Sequence, residues 1–209
     1  MGKQVIVSIS REFGSGGHEI ALKIAKDLNL KFYDRSILDE IAEKLNVQTE
    51  VLEKYDEKLR NVMLSRNVKN YTNSMEEILA ELQFEFIRKK AEEGESFVIV
   101  GRCSEYVLRG TEDLISVFVT GRQEQKIERI MKKYQLDKTE ALIKIKRHDR
   151  KRRQYHNRHS DTKWGDSKCY DLCINSSPLG IAGTVRILEA YIQERMQKQE
   201  GCAVLVYHD

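Results

Sequence analysis

The chain has 209 residues, 36 Lys and Arg against 33 Asp and Glu, a formal net charge of +3 and 40% hydrophobic residues. No apolar run approaches the about 20 residues of a membrane helix, no leader-like apolar core is expected ahead of Val5, and four cysteines without a C-x-x-C pair exclude a disulfide scaffold. A soluble, cytoplasmic, single-domain protein is expected, with its charge unevenly spread: residues 144–168 hold ten Lys and Arg and three Asp, or +7, which leaves −4 for the rest.

Val5–Ser10 reads as a strand and runs into Arg11-Glu12-Phe13-Gly14-Ser15-Gly16-Gly17-His18. Ile20, Ala21, Ile24, Ala25 and Leu28 then recur at helical spacing, and Leu30–Tyr33 is a second strand closed by Asp34-Arg35. This is a βαβ opening with a glycine loop after the first strand. Ile37, Leu38, Ile41, Ala42 and Leu45 stripe a helix, and Val51, Leu52 and Tyr55 suggest another. Asn61–Asn73 is polar and poorly periodic and reads as loop; Met75, Ile78, Leu79, Leu82, Phe86 and Ile87 stripe a long helix.

Phe97–Gly101 and Ile115–Thr120 are continuous apolar runs, as in strands buried on both faces. They end at Gly101-Arg102 and Gly121-Arg122. Ile127, Ile130, Met131 and Tyr134 mark a helix, and a basic helix starts near Thr139. Tyr170–Ile174 reads as the last central strand. Ser177 and Pro178 suit the N-cap and first position of a final helix striped by Ile181, Val185, Leu188 and Ile192, with a terminal edge strand over Ala203–Tyr207. Five short strands separated by helices imply an α/β fold: a three-layer, parallel, five-stranded sheet with helices on both faces. Ligands of such sheets sit at the carboxyl ends of the strands. Those ends carry Arg11, Asp34, Arg35, Gly101, Arg102 and Asn175.

Glycines between a strand and a helix let backbone N–H groups converge on a phosphate, with the helix N-terminus behind them. The loop departs from the Walker A pattern G-x-x-x-x-G-K-[ST]: aligned on Gly16, Arg11 replaces the first glycine, Gly17 the lysine and His18 the hydroxyl residue. The dinucleotide fingerprint G-x-G-x-x-G fails as well, at Glu19.

Ser8-Ile9-Ser10-Arg11-Glu12-Phe13-Gly14-Ser15-Gly16-Gly17, then Phe32-Tyr33-Asp34-Arg35, then Val98-Ile99-Val100-Gly101-Arg102, resembles the cytidylate kinase-like family of P-loop nucleoside monophosphate kinases. Tyr170–Asn175 followed by Leu179-Gly180-Ile181 extends the resemblance, which spans roughly residues 4–195. It implies one P-loop kinase-type domain over 1–209, with a helical acceptor-side insertion near 36–95 and a lid near 139–168. It also implies ATP and Mg²⁺ as cofactors, a nucleotide and a small phosphorylated acceptor as partners, and no membrane. Gly14, Ser15, Gly16, Gly17 and His18 would hold the ATP phosphates. Arg11 would supply the charge of the missing lysine, and Ser15 or Ser10 the metal-binding hydroxyl. Asp34, Arg35, Arg102 and Asp149 would bind the acceptor. Arg147, Arg150 and Arg153, at i, i+3 and i+6, would form the catalytic face of the basic lid. Ordinary cytidylate kinases carry Asp where Cys103 and Lys151 stand here.

Two rival readings follow from the same residues. Loss of both Walker side chains suits a catalytically weak nucleotide-binding or regulatory protein. The basic run with Tyr155 and Trp164 suits single-stranded nucleic acid, although the acidic remainder of the chain disfavours it. A zinc site from His156, His159, Cys169 and Cys173 is disfavoured, since Cys169 and Cys173 on one strand would stand about 13 Å apart.

Overall fold

The computed structural model of the protein describes residues 4–45, 48–53, 67–68, 71–72 and 75–204. Small and β-branched residues dominate its first strand, β1 (Ile6–Arg11), because both faces of that strand are covered. Val7 and Ile9 pack on one face, and Ile6 on the other. Ser8 and Ser10 follow Ile6 on that second face by the two-residue alternation of a strand, and both are buried.

The chain continues through α1 (Gly17–Asp27), β2 (Lys31–Tyr33), α2 (Ile37–Leu45), α3 (Thr49–Glu53), β3 (Asn67–Val68), β4 (Tyr71–Thr72), α4 (Met75–Glu92), β5 (Phe97–Val100) and α5 (Ser104–Val107). There follow β6 (Leu114–Thr120), α6 (Gln123–Tyr134), α7 (Lys138–His159), a 3₁₀ turn at Ser167–Cys169, β7 (Leu172–Asn175) and α8 (Gly180–Val204). Five strands form one parallel sheet in the order β2-β5-β1-β6-β7. Ile6 of β1 stands between Phe97 of β5 and Leu114 of β6.

The stripes read from the sequence become the two faces of this sheet. Ile20 and Ile24 of α1 and Val185, Leu188 and Ile192 of α8 pack on one side. Ile37, Leu38 and Ile41 of α2, Leu52 of α3 and Leu79, Phe86 and Ile87 of α4 pack on the other. A smaller cluster of Ile127, Ile130, Ala141 and Ile145 joins α6 to the basic helix α7. That helix opens on Asp137, which forms a reciprocal capping box with Glu140.

Several local expectations are corrected. The last strand runs over Leu172–Asn175 and lies at a sheet edge, where half of its residues are exposed. Ala203 and Val204 belong to α8 and form no edge strand; 205–207 lie outside the described residues, as does Tyr55. Within 61–73, Asn67 and Val68 pair antiparallel with Thr72 and Tyr71, and the other positions lie outside the described residues. Ile78 is exposed, because the buried face of α4 runs instead through Leu79, Ala80, Gln83 and Phe84. Ser177 does not cap α8, which begins at Gly180; its hydroxyl accepts from the Arg122 N–H at the start of α6 (2.7 Å).

Candidate active site

The carboxyl ends of β1, β5 and β6 open on the glycine loop, residues 12–16. Gly16 has φ of +81° and caps α1, and a Cβ there would run into Ile181. Gly17 has no such φ, but a Cβ would lie 2.5 Å from that of Arg11. A side chain at either position would push apart β1, α1 and α8. The Ser15 hydroxyl donates to the Glu12 carbonyl (2.8 Å), and the Ser15 carbonyl accepts from Ser176 Oγ (2.6 Å). The loop is thus tied from within before any ligand arrives.

Two cavities flank it. One of about 310 Å³ lies between Gly14 and Ser15, the α6 residues Lys126 and Arg129, and Ser176, Ser177 and Ile181 at the sheet's far edge. The other, about 280 Å³, is bounded by Arg11, Gly16, Gly17, His18, Arg129 and Arg152. Lys126 is nearly buried. Its Nζ sits 2.9 Å from Glu12 Oε2 and 3.7 Å from Asp149 Oδ2, and Glu12 Oε2 also accepts from the Gly121 N–H (3.2 Å). Arg129 pairs with Glu19 (2.8 Å) and brings its guanidinium beside Gly16.

The basic helix α7 is docked on the loop. Asp149 Oδ1 accepts from the Phe13 N–H (2.6 Å). The His148 ring stacks on Phe13 with centroids 4.1 Å apart, and Arg152 donates to the Arg11 carbonyl (3.1 Å). Burial pushes the Asp149 carboxyl up, against the pull of Phe13 N–H, Lys126 and Arg152. Burial, seconded by Arg152, Arg147, Lys144 and Lys151, pushes the His148 imidazole down to about 4. His148 therefore meets Phe13 as a neutral ring.

The inward face of α7 is thus Ala141, Ile145, His148, Asp149, Arg152 and His156. It is not the face of the expected trio. Arg147 and Arg150 are exposed, and Arg153 is exposed with its guanidinium 5.6 Å from the Trp164 ring. The physical reason is register: Ala141 and Ile145 are fixed against α6, and steps of 3.6 residues from them reach 148, 152 and 156.

On the β5 side the backbone turns through three successive left-handed residues, Gly101 (φ +79°), Arg102 (+61°) and Cys103 (+51°). Two non-glycine residues in that region cost about 1–3 kcal/mol each. The turn buries Arg102 and places it with Ser10, Arg11, Arg152, Tyr155, His156 and Trp164 around a space of about 20 Å³. Beneath this space lies a buried polar cluster. Glu105 Oε1 meets His156 Nε2 at 2.7 Å, Glu105 Oε2 accepts from Ser10 Oγ (3.2 Å), and Ser8 Oγ bonds Ser104 Oγ (2.7 Å).

Asp34 is committed to its own neighbours: Oδ2 meets His18 Nε2 at 2.8 Å and Oδ1 accepts from the Ser36 N–H (3.0 Å). Burial would raise the Asp34 carboxyl, but His18 and Ser36 outweigh it and hold it below the usual carboxylate range. Arg35 is exposed. Of the residues singled out in the sequence, Arg11, Gly14, Gly16, Gly17, His18 and Asp149 meet around the loop, Ser15 lies within it, and Arg102 lies beside it. Lys126, Arg129, Arg152, Glu105 and His156 join them without having been expected. Two serines in a buried strand were the legible sign of Glu105, because a buried hydroxyl demands a polar partner. Lys126 and Arg129 had no such sign, being two cations among many on a helix of mixed charge.

A five-stranded parallel sheet flanked by helices, with a glycine loop after its central strand, matches the P-loop kinase fold. A shikimate kinase from Bacteroides thetaiotaomicron has this fold, at a TM-score of 0.52 and 15% identity over 90% of this chain and 98% of its own. A crystal structure of an uncharacterized protein from Eubacterium ventriosum ATCC 27560 is more similar, with 36% identity, a TM-score of 0.73, and coverage of 91% of this chain and 99% of that one. The model of the cytidylate kinase-like family matches residues 6–178. The chain belongs to that family. Among curated proteins no sequence matches it.

Proposed function

We propose that the protein transfers the terminal phosphoryl group of ATP to a small anionic acceptor, for which the family suggests a nucleoside monophosphate. The observation that carries this reading is the cation-ringed glycine loop between two cavities, with a narrow arginine pocket beside it. In this scheme the 310 Å³ cavity takes the nucleoside end of ATP. The loop amides of Gly14–Gly17, with His18 at the start of α1, cradle its phosphates. Arg11, Arg129 and Arg152 supply the charge that a Walker lysine would bring. Arg102 and Arg152 hold the acceptor's anionic group. The segment 36–95 forms the acceptor-side insertion, and 139–168 the lid.

Magnesium is implied by the family, but the two hydroxyls expected to ligate it do not fit. Ser10 and Ser15 are both buried and turned to internal acceptors. Among the described residues no group of three His, Cys, Asp or Glu could hold an ion. The steps above therefore run through backbone amides and arginines. No helix among the described residues is long and apolar enough to cross a membrane.

The test is ADP formation from ATP, with magnesium supplied, against a panel of nucleoside monophosphates. Acceptor-dependent ADP formation supports transfer. ATP binding without turnover in any acceptor would support the weak, nucleotide-binding alternative.

A further inference from the structure

One pair of residues at the phosphate cavity is built in a way that holding phosphate does not require. His18 stands in the first turn of α1, and its side chain is 54% exposed. It borders the same cavity as Gly16, Gly17, Arg11 and Arg152. Its Nε2 is held by Asp34 at 2.8 Å, and Phe32 meets its ring edge-on at 5.5 Å. A carboxylate can only accept, so Nε2 carries a proton, and the tautomer this contact selects has its lone pair on Nδ1. Nδ1 makes no hydrogen bond among the described residues. The other Asp34 oxygen accepts from the Ser36 N–H, so the carboxylate is held in place from both ends.

A carboxylate that fixes the tautomer and orientation of an imidazole is the arrangement by which a histidine becomes a general base. A phosphate acceptor has no use for one, because its attacking oxygen carries no proton that must be removed. A hydroxyl acceptor does.

We infer that His18 is a general base positioned by Asp34, and that the acceptor is a small anion which offers a hydroxyl oxygen. The inference rests on the phosphotransferase reading and narrows its acceptor. Arg102 and Arg152 hold the anionic group, while the hydroxyl lies against His18 Nδ1. The hydroxyl oxygen bonds to the γ-phosphorus and its proton passes to Nδ1. The bond from the γ-phosphorus to the β–γ bridging oxygen breaks, and ADP leaves with that electron pair. His18 then releases the proton to solvent. Asp34, at the end of β2, contacts the imidazole, and the charged groups that share its cavity are Arg11 at the end of β1, Glu12 in the loop, Glu19 on α1, Arg129 and Lys133 on α6, and Arg152 on α7.

The experiment offers the full-length protein ATP and magnesium with two probe classes: hydroxyl-bearing anions (glycerate, gluconate, glycerol 3-phosphate) and nucleoside monophosphates (CMP, UMP, AMP). ³¹P NMR distinguishes a new phosphomonoester from a new phosphoanhydride. The expected result is a phosphomonoester product and a loss of about 100-fold or more in kcat for His18→Gln. Asp34→Asn should lose a comparable factor, because an amide facing Nε2 favours the wrong tautomer. It should also move the acidic limb of the pH–rate profile, which a purely structural role would leave in place. Thermal melts of both variants separate these effects from unfolding. A phosphoanhydride product, or His18→Gln within threefold of wild-type kcat, overturns the inference and leaves the phosphotransferase reading standing. No acceptor-dependent ADP from either class removes that reading, and the inference with it.

Discussion

The two sides of the glycine loop are built differently. The α6 side holds an open cavity of about 310 Å³ whose key cation, Lys126, is already locked between two carboxylates. The β5 side holds a space of only about 20 Å³, walled by Arg11, Arg102 and Arg152 and closed from above by α7. One side has room for a ligand as it stands; the other does not. The closing element is one helix fixed at three points along its length: Ile145 against α6, Asp149 and Arg152 on the loop, and His156 on Glu105. In the proposed scheme the acceptor displaces α7 on entering, and the order of binding is expected to favour ATP first.

Damage to the open side should have the largest effect. Gly16→Val forces a side chain into Ile181 in a left-handed backbone and should abolish ATP binding, read by calorimetry, with a stability loss of about 3 kcal/mol. Glu105→Ala, beneath the closed side, strands Ser10 and His156 and should cost about 2–3 kcal/mol in denaturant unfolding. Arg152→Ala should raise acceptor KM about 10- to 100-fold, while Arg150→Ala, exposed on the same helix, should change it less than twofold. Equal effects of the two would erase the distinction between the faces of α7.

The smallest effect concerns pH. His148 is neutral in the folded protein down to about pH 4, whereas in the unfolded chain it gains a proton near 6.5. Its contribution to stability is therefore complete above pH 6.5 and is lost as pH falls from there toward 4. His148→Phe keeps the stack on Phe13 and should flatten that part of the decline in Tm between pH 7 and 4.5.

The sheet was legible because its strands are unbroken apolar runs and its helices carry regular stripes. The loop was legible because glycines between a strand and a helix have few other uses. The inward face of α7 was not. Three arginines at i, i+3 and i+6 looked like one face, but the packing of Ala141 and Ile145 set the register one residue away. Lys126 was hidden for a different reason: its neighbours Glu12 and Asp149 are 114 and 23 residues distant, and only the fold brings them together. The pairing of Asp34 with His18 likewise crosses from β2 to α1 and follows from parallel strand order, not from local pattern.

The chain has a single tryptophan. Trp164 borders the narrow arginine pocket, meets Phe118 edge-on at 5.2 Å and lies under Arg153 of α7. The molecule thus carries its own optical gauge. Any swing of α7 away from β6 changes the polarity and quenching around one indole, so a movement at this pocket can be timed by stopped-flow fluorescence with no label attached.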